Sequence, residues 1–305
     1  MDAIQKELFA QIADLHEVPQ GAYNFRVNGE STARQSTENI DIITKSDKPG
    51  IDIIIKPETK HESVHIPVVL SQSGLQECVY NDFFIGDNSD VTIVAGCGIH
   101  NSGDSASEHD GIHTFHIGKN AKVKYVEKHY GSGEGTGERI MNPKTVIFID
   151  EGGSMEMDTV QIKGVDSTDR VTEATLGDKA TLVIREKIMT HGKQYARTDF
   201  SVHLNGEDCG ADVVSRSVAK DASRQEFISE INGNNRCSGH TECDAILMDH
   251  GAVTAVPKLT ANHLDAALIH EAAIGKIAGD QIIKLMTLGL TEEEAEAQII
   301  SGFLK

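Results

Sequence analysis

Apolar positions recur at helical spacing only near the two ends of the chain. Ile4, Leu8, Phe9, Ile12 and Leu15 place one short amphipathic helix over Ala3 to His16, and Pro19 follows to stop it. After Gly21 the pattern changes to short runs rich in Val, Ile and Thr, separated by Gly, Asn and Asp, which predicts many short strands. Five segments share a plan of apolar residue, Gly or Asn turn, and alternating apolar positions. They are "IGDNSDVTIV" from Ile85, "IGKNAKVKYV" from Ile117, "IDEGGSMEMD" from Ile149, "LGDKATLVIR" from Leu176 and "LNGEDCGADVV" from Leu204. Their starts lie 32, 32, 27 and 28 residues apart, and "LMDHGAVTAV" from Leu247 reads as a degenerate sixth copy.

A period of this size marks a solenoid, in which each unit buries its face only against its neighbours. Because the units hold strands and almost no helical periodicity, a β-helix is preferred to leucine-rich or ankyrin repeats and to a β-sandwich. From about Asn262 the spacing of Leu264, Leu268, Ile269, Ile274, Ile277, Ile282, Ile283, Leu285 and Met286 predicts helix again, with Gly289 as a stop. Thr291 as N-cap with Glu294 three residues on makes a capping box for a last helix, whose first turn is acidic. The expected organisation is an N-terminal helix over 1–20, a β-helix core over 21–261 and a small C-terminal helical domain over 262–305.

Charge and cysteines narrow the function. With 28 Lys and Arg against 47 Asp and Glu, the net charge of −19 disfavours a nucleic-acid partner. No apolar run approaches a membrane span. Five cysteines, an odd and sparse set without a signal-peptide stretch, point to a reducing cytoplasm.

Several stretches look chemical. "HESVH" (His61 to His65) has the letters of a zinc-peptidase motif but lies among β-formers, where the two imidazoles cannot share an ion as they do on a helix. "YGSGEGTGER" (Tyr130 to Arg139) lacks a phosphate-loop Lys and reads as a surface loop. Cys97, His100, His109, His113 and His116 form a denser set of candidate ligands, and a metal-dependent enzyme using Cys97, His109, His113 and His116 is the alternative function. "RCSGHTECDAILMD" offers Cys237, His240 and Cys243, with His250 nearby and His270 and Glu271 downstream. Its Cys-x5-Cys spacing does not choose among metal site, nucleophile and packed thiols.

The end of the chain adds a resemblance. "ECDAILMDHGAVTAVPKL" followed by "IHEAAIGKIAGDQIIKLMTLGLTEEEAEAQIISGFL" closely resembles the core of the SufB and SufD proteins, scaffolds of the SUF iron–sulfur cluster assembly machinery. The resemblance is dense over about the last 65 residues and weaker through "IPVVL", "NDFFIG" and "HTFHIG". It implies a right-handed parallel β-helix followed by a helical domain, in agreement with the repeat. It also implies that Cys243 is the cluster-assembly cysteine, Glu271 its acidic partner and His270 the histidine of the same motif. Proximity alone adds Cys237 and His250 as candidate ligands.

The segment from Asp280 onward, including Gln281, Leu285, Met286, Gly289 and Leu290, resembles the part of the family that docks a SufC-type ABC ATPase. The chain is shorter than better-known members and joins a SufB-like "HEA" to a SufD-like "IGKI", so the resemblance implies a minimal member forming a homodimer. The expected function is a non-enzymatic scaffold that carries a transient iron–sulfur cluster, receives sulfur from a donor protein and leaves ATP hydrolysis to its partner. A thiolate with a weaker carboxylate or imidazole ligand suits a cluster that must be built and then released.

Overall fold

The computed structural model describes residues 2–305. Helix α1 (Ala3–Ala13) starts at a capping box between Asp2 and Gln5 and buries Leu8, Phe9 and Ile12. It ends at Asp14, which adopts the left-handed conformation, so the helix stops before the predicted His16 and without help from Pro19. Two antiparallel pairs follow, β1 (Ala22–Val27) with β2 (Glu30–Gln35), and β3 (Ile40–Thr44) with β4 (Gly50–Ile55).

The chain then winds into the expected β-solenoid, about eight turns of mainly parallel strands. One sheet continues from β1 through β5 (Lys60–Leu70), β7 (Asp90–His100), β9 (Lys122–Ser132) and β12 (Ser154–Lys163). It ends with β14 (Thr181–Thr190), β16 (Cys209–Ala219), β18 (Cys237–Leu247) and β20 (Ala266–Gly275). The other runs from β3 and β4 through β6 (Gln76–Ile85), β8 (Ser107–Ile117) and the short β10 (Arg139–Met141) and β11 (Lys144–Ile149). It closes with β13 (Ser167–Leu176), β15 (Tyr195–Leu204), β17 (Arg224–Gly233) and β19 (Ala252–Ala261).

Strict alternation explains the core. Each strand sends every second side chain inward, where Ile53, Phe83, Ile93, Phe115, Ile147, Leu182 and Val202 stack rung on rung between the sheets. Each of the five clear repeats begins at the last residue of a strand in the second sheet and crosses a tight turn into the first. The degenerate copy at Leu247 is out of phase, because Leu247 ends a strand of the first sheet. The sixth equivalent corner is Gly233, where β17 ends. "HESVH" lies in β5, with His61 at a bulge, and residues 133–138 of the glycine-rich stretch form a loop between β9 and β10, both as expected.

The helical reading of residues from Asn262 to Gly275 is corrected. Leu264, Leu268 and Ile269 fit a helix face, but Ala266, Leu268, His270, Ala272 and Ile274 also fit a period of two. The ladder with β18 runs unbroken from Cys237↔Ala266 to Ile246↔Gly275. Tertiary pairing therefore decides an ambiguous pattern. The strands extend past 261 to Gly275, and helix begins only with α2 (Gly279–Met286) and α3 (Glu292–Phe303). The capping box of Thr291 and Glu294 is present at α3, and Gly289 turns the chain at φ +97° between the two helices. No helix among the described residues is long and apolar enough to cross a membrane.

Candidate metal and cluster site

Strand β18 sorts the chemistry of "CSGHTECDAIL" by parity. Cys237, Gly239, Thr241, Cys243 and Ala245 point into the solenoid, while Ser238, His240, Glu242 and Asp244 point out. On one side β16 pairs Ser215 with Cys243 and Asp212 with His240. On the other, β20 pairs His270 with Thr241, Glu271 with Glu242 and Ala272 with Cys243. The sequence-predicted residues are thus divided. Cys243, Cys237 and the half-buried His270 take the inner parity, Glu271 takes the outer face, and His250 is exposed in the turn after β18.

Inside, Cys243 is 1 % exposed, and burial, then Glu186 and Asp244, push its thiol up to about 12. At rest it is a neutral thiol, which neither attacks nor ligates well. Cys237 is the backbone partner of Cys209, whose thiol burial pushes up to about 11 and whose sulfur donates to the Gly206 carbonyl at 3.0 Å. The His270 Nδ1 atom is buried without a hydrogen-bond partner. Such an orphan costs desolvation energy unless something else meets it.

Cys243 also terminates a polar column that sequence reasoning missed. Along the first sheet the inward register runs Glu127, Thr159, Glu186, Ser215, Cys243. Ser215 donates to Glu186 at 2.7 Å, and Arg170, from the opposite sheet, pairs with Glu127 and lies 3.7 Å from Glu186. Burial opposes ionisation of Glu127, but Arg170 and His129 hold its carboxyl well below the usual range, whereas burial leaves Glu186 raised. The available signal was polar residues at inward positions of the alternation.

Outside, His240, Glu242 and Glu271 place ligand atoms within 4.8 Å of one another. The His240 Nδ1 atom lies 2.7 Å from Asp212 Oδ1, which fixes the ring. Burial, together with the neighbouring Asp244, raises Glu242. His240 was a candidate from sequence alone, whereas Glu242 and Asp212 were not. The outward i, i+2 spacing of His240 and Glu242 was legible, but their approach to Glu271 needed the β18–β20 register.

Comparison with known proteins gives the family. Residues 75–303 match the family described as SUF system FeS cluster assembly, SufBD core domain. The chain belongs to the SufBD family. An iron-sulfur cluster assembly SufBD family protein of Archaeoglobus fulgidus is 30% identical over 228 residues, covering 74% of this chain and 60% of that protein. Another, of Methanothermobacter thermautotrophicus (strain Winter), is 28% identical over 77% of this chain and 57% of its own length. A third, of Methanocaldococcus jannaschii, is 27% identical over 83% of this chain and 79% of its own. The aligned part of this SufBD chain thus spans about 60% of the first of these relatives.

Of the other candidate ligands of this SufBD protein, Cys97, His109 and His113 line one small internal cavity with Glu127 and His129, and His116 lies apart from them. His116 is exposed on the outer face, stacked between Phe84 and Phe148 at centroid distances of 5.1 and 5.4 Å. Cys97, His109 and His113 are buried on the inner parity. His109 Nδ1 meets Glu77 at 3.1 Å, and His113 Nδ1 meets the Tyr125 hydroxyl at 2.8 Å. Burial pushes His113 down to about 4 and Cys97 well above the usual thiol range. These are satisfied core groups, and the four-residue ligand set fails because His116 has the opposite parity. Of the predicted docking residues, Asp280, Gln281, Met286 and Gly289 are exposed, while Leu285 and Leu290 are half-buried.

Proposed function

We propose that this SufBD protein is a scaffold on which a nascent iron–sulfur cluster is assembled, with Cys243 as the thiolate ligand and an ABC-type ATPase bound at α2 and α3. The carrying observation is the position of Cys243 one strand from the end of its sheet, covered by the edge strand β20 that bears His270 and Glu271. Only residues 276–278 separate β20 from α2. A partner pulling on α2 therefore acts on the strand that covers the thiol. Displacing β20 hydrates Cys243, lowers its pKa and lets iron and sulfide reach it, while the orphan Nδ1 of His270 gains a partner.

The chain's own residues supply ligands and a closable compartment; ATP hydrolysis belongs to the partner, and sulfur arrives from a donor protein. Cys237 lies on the same strand as Cys243 and is paired with Ala266 of β20, so the same displacement uncovers it, whereas His250 is already exposed in the turn after β18. A homodimer follows from the same end of the molecule. Edge strands β19 and β20 carry unpaired backbone groups and expose Val256, Ile269 and Ile274, a surface that a second copy can cover.

The test is iron and acid-labile sulfide in anaerobically reconstituted protein with its ATPase, wild type beside Cys243→Ser. The expected result is loss of both elements in the variant. An undiminished cluster in Cys243→Ser overturns the assignment. Deleting the residues after Asp280 is expected to abolish ATPase binding with the solenoid still folded, and full retention of the ATPase removes the docking segment from the proposal.

A further inference from the structure

The outer triad differs in chemistry from the thiol on the other side of the same strand. It has one imidazole, two carboxylates and no sulfur, the donor set that suits a six-coordinate ferrous ion with positions left open for water. Donors about 2.1 Å from an octahedral ion sit about 3 Å apart when adjacent. A mutual separation within 4.8 Å is thus closed by small side-chain rotations.

Two further observations separate this triad from a chance patch of acid. Asp212 accepts from His240 Nδ1 at 2.7 Å, which leaves Nε2 as the lone-pair nitrogen, the orientation that carboxylates impose on metal-binding histidines. The four residues also come from three adjacent strands in fixed register, Asp212 on β16, His240 and Glu242 on β18, and Glu271 on β20, so rigid sheet positions them. Asp244, on the same outer face, adds negative charge, against which Arg216 is the neighbouring cation.

We infer that His240, Glu242 and Glu271, with Asp212 orienting the histidine, form a surface site that holds one ferrous ion apart from the Cys243 thiol. The choice of iron as the ion rests on the scaffold reading; the site itself rests on the geometry. Glu271 lies on β20, the strand whose displacement uncovers Cys243. The movement that opens the thiol therefore removes one of the three ligands and weakens the hold on the ion at the same moment. Binding here is coordination of Fe(II) by existing lone pairs and involves no electron transfer.

The experiment is anaerobic titration of the full chain with Fe(II) alone, without sulfide or ATPase, read by equilibrium dialysis and, with Mn(II) as a spectroscopic stand-in, by electron paramagnetic resonance. Wild type is expected to bind one ion, and His240→Ala and Glu242→Gln to weaken it at least tenfold. Asp212→Asn is expected to weaken it by about tenfold through the histidine. Glu242→Gln preserves shape, so its circular dichroism should match wild type. Cys243→Ser should bind Fe(II) as wild type does. Unchanged affinity in both His240→Ala and Glu242→Gln, or loss of binding in Cys243→Ser, overturns the site. The scaffold reading fails separately, through a cluster that survives Cys243→Ser.

Discussion

Near its N-terminal end the outer face of one sheet is closed over by a helix, and at its C-terminal end the last strands are open. Helix α1 lies across β5, β7 and β9 and buries Leu8, Phe9 and Ile12 with Phe25, Val27 and Val69. The fit requires bare backbone beneath it, since a Cβ on Gly96 would meet Ile12 at 2.7 Å and one on Gly98 would meet Leu8 at 3.2 Å. At the other end β19, β20 and α2 contain no fully buried side chain, although they are as regular as the rest. One end buries its apolar residues fully. The other packs Ala255, Leu259, Ala266 and Leu268 only partly against the core and leaves Val256, Ile269 and Ile274 exposed, and all of the proposed cluster chemistry gathers there. Repeat proteins need capped ends for solubility, so an end left uncapped points to a surface covered by something else or to a strand that must move.

The largest expected difference is in stability. Ile12→Ala removes a fully buried side chain at the closed end and should cost about 2–5 kcal/mol in urea unfolding. Ile274→Ala at the open end, where the side chain is 39% exposed, should fall within about 0.5 kcal/mol in the monomer. Equal costs would erase the contrast between the ends.

Next comes access to thiols. Cys97 and Cys243 are both buried, and both are held neutral by burial. Cys97 has strands on both sides in a rung beneath α1, whereas Cys243 is covered by one edge strand. Local opening of an edge costs less than opening of the middle, so Cys243 should be alkylated at least about tenfold faster than Cys97. The pH sign follows from the raised thiol. Below the ordinary cysteine value of 9 the closed state keeps its full advantage, and it loses that advantage as pH rises toward about 12. Labelling of Cys243 should therefore rise more steeply above pH 9 than thiolate formation in a solvent-exposed thiol explains. Equal protection of the two cysteines would argue that β20 does not open.

The contrast between the ends also shows where sequence was sufficient. The repeat, the solenoid and the capping box at Thr291 were legible because each is local or recurs at a fixed interval. Strand β20 was not, since its Ala-rich composition carries little β preference and its apolar spacing satisfies two periods at once. The candidate site was legible as a set of residues by resemblance, but not as two sites. The register pairs Cys243 with Ala272, one residue past Glu271, which puts thiol and carboxylate on opposite faces, and register is a property of pairing. The Glu127–Arg170–Glu186 group likewise joins residues far apart in sequence, which meet only when the two sheets close over each other.

The smallest effect offers the cleanest control, because the same device sits at both ends. Asp2 with Gln5 caps α1 and Thr291 with Glu294 caps α3, each with both reciprocal hydrogen bonds formed. Replacing either cap residue by Ala should cost its helix about 1 kcal/mol. Helix α1 is part of the buried core, so Asp2→Ala should lower the global unfolding midpoint. Helix α3 buries only Ala295, so Thr291→Ala should leave that midpoint unchanged and instead speed amide hydrogen exchange across Glu292–Phe303. If Thr291→Ala lowers the global midpoint as much as Asp2→Ala does, the C-terminal helices are coupled to the solenoid more tightly than their exposure indicates, and a partner grasping them would have to deform the whole molecule to move one strand.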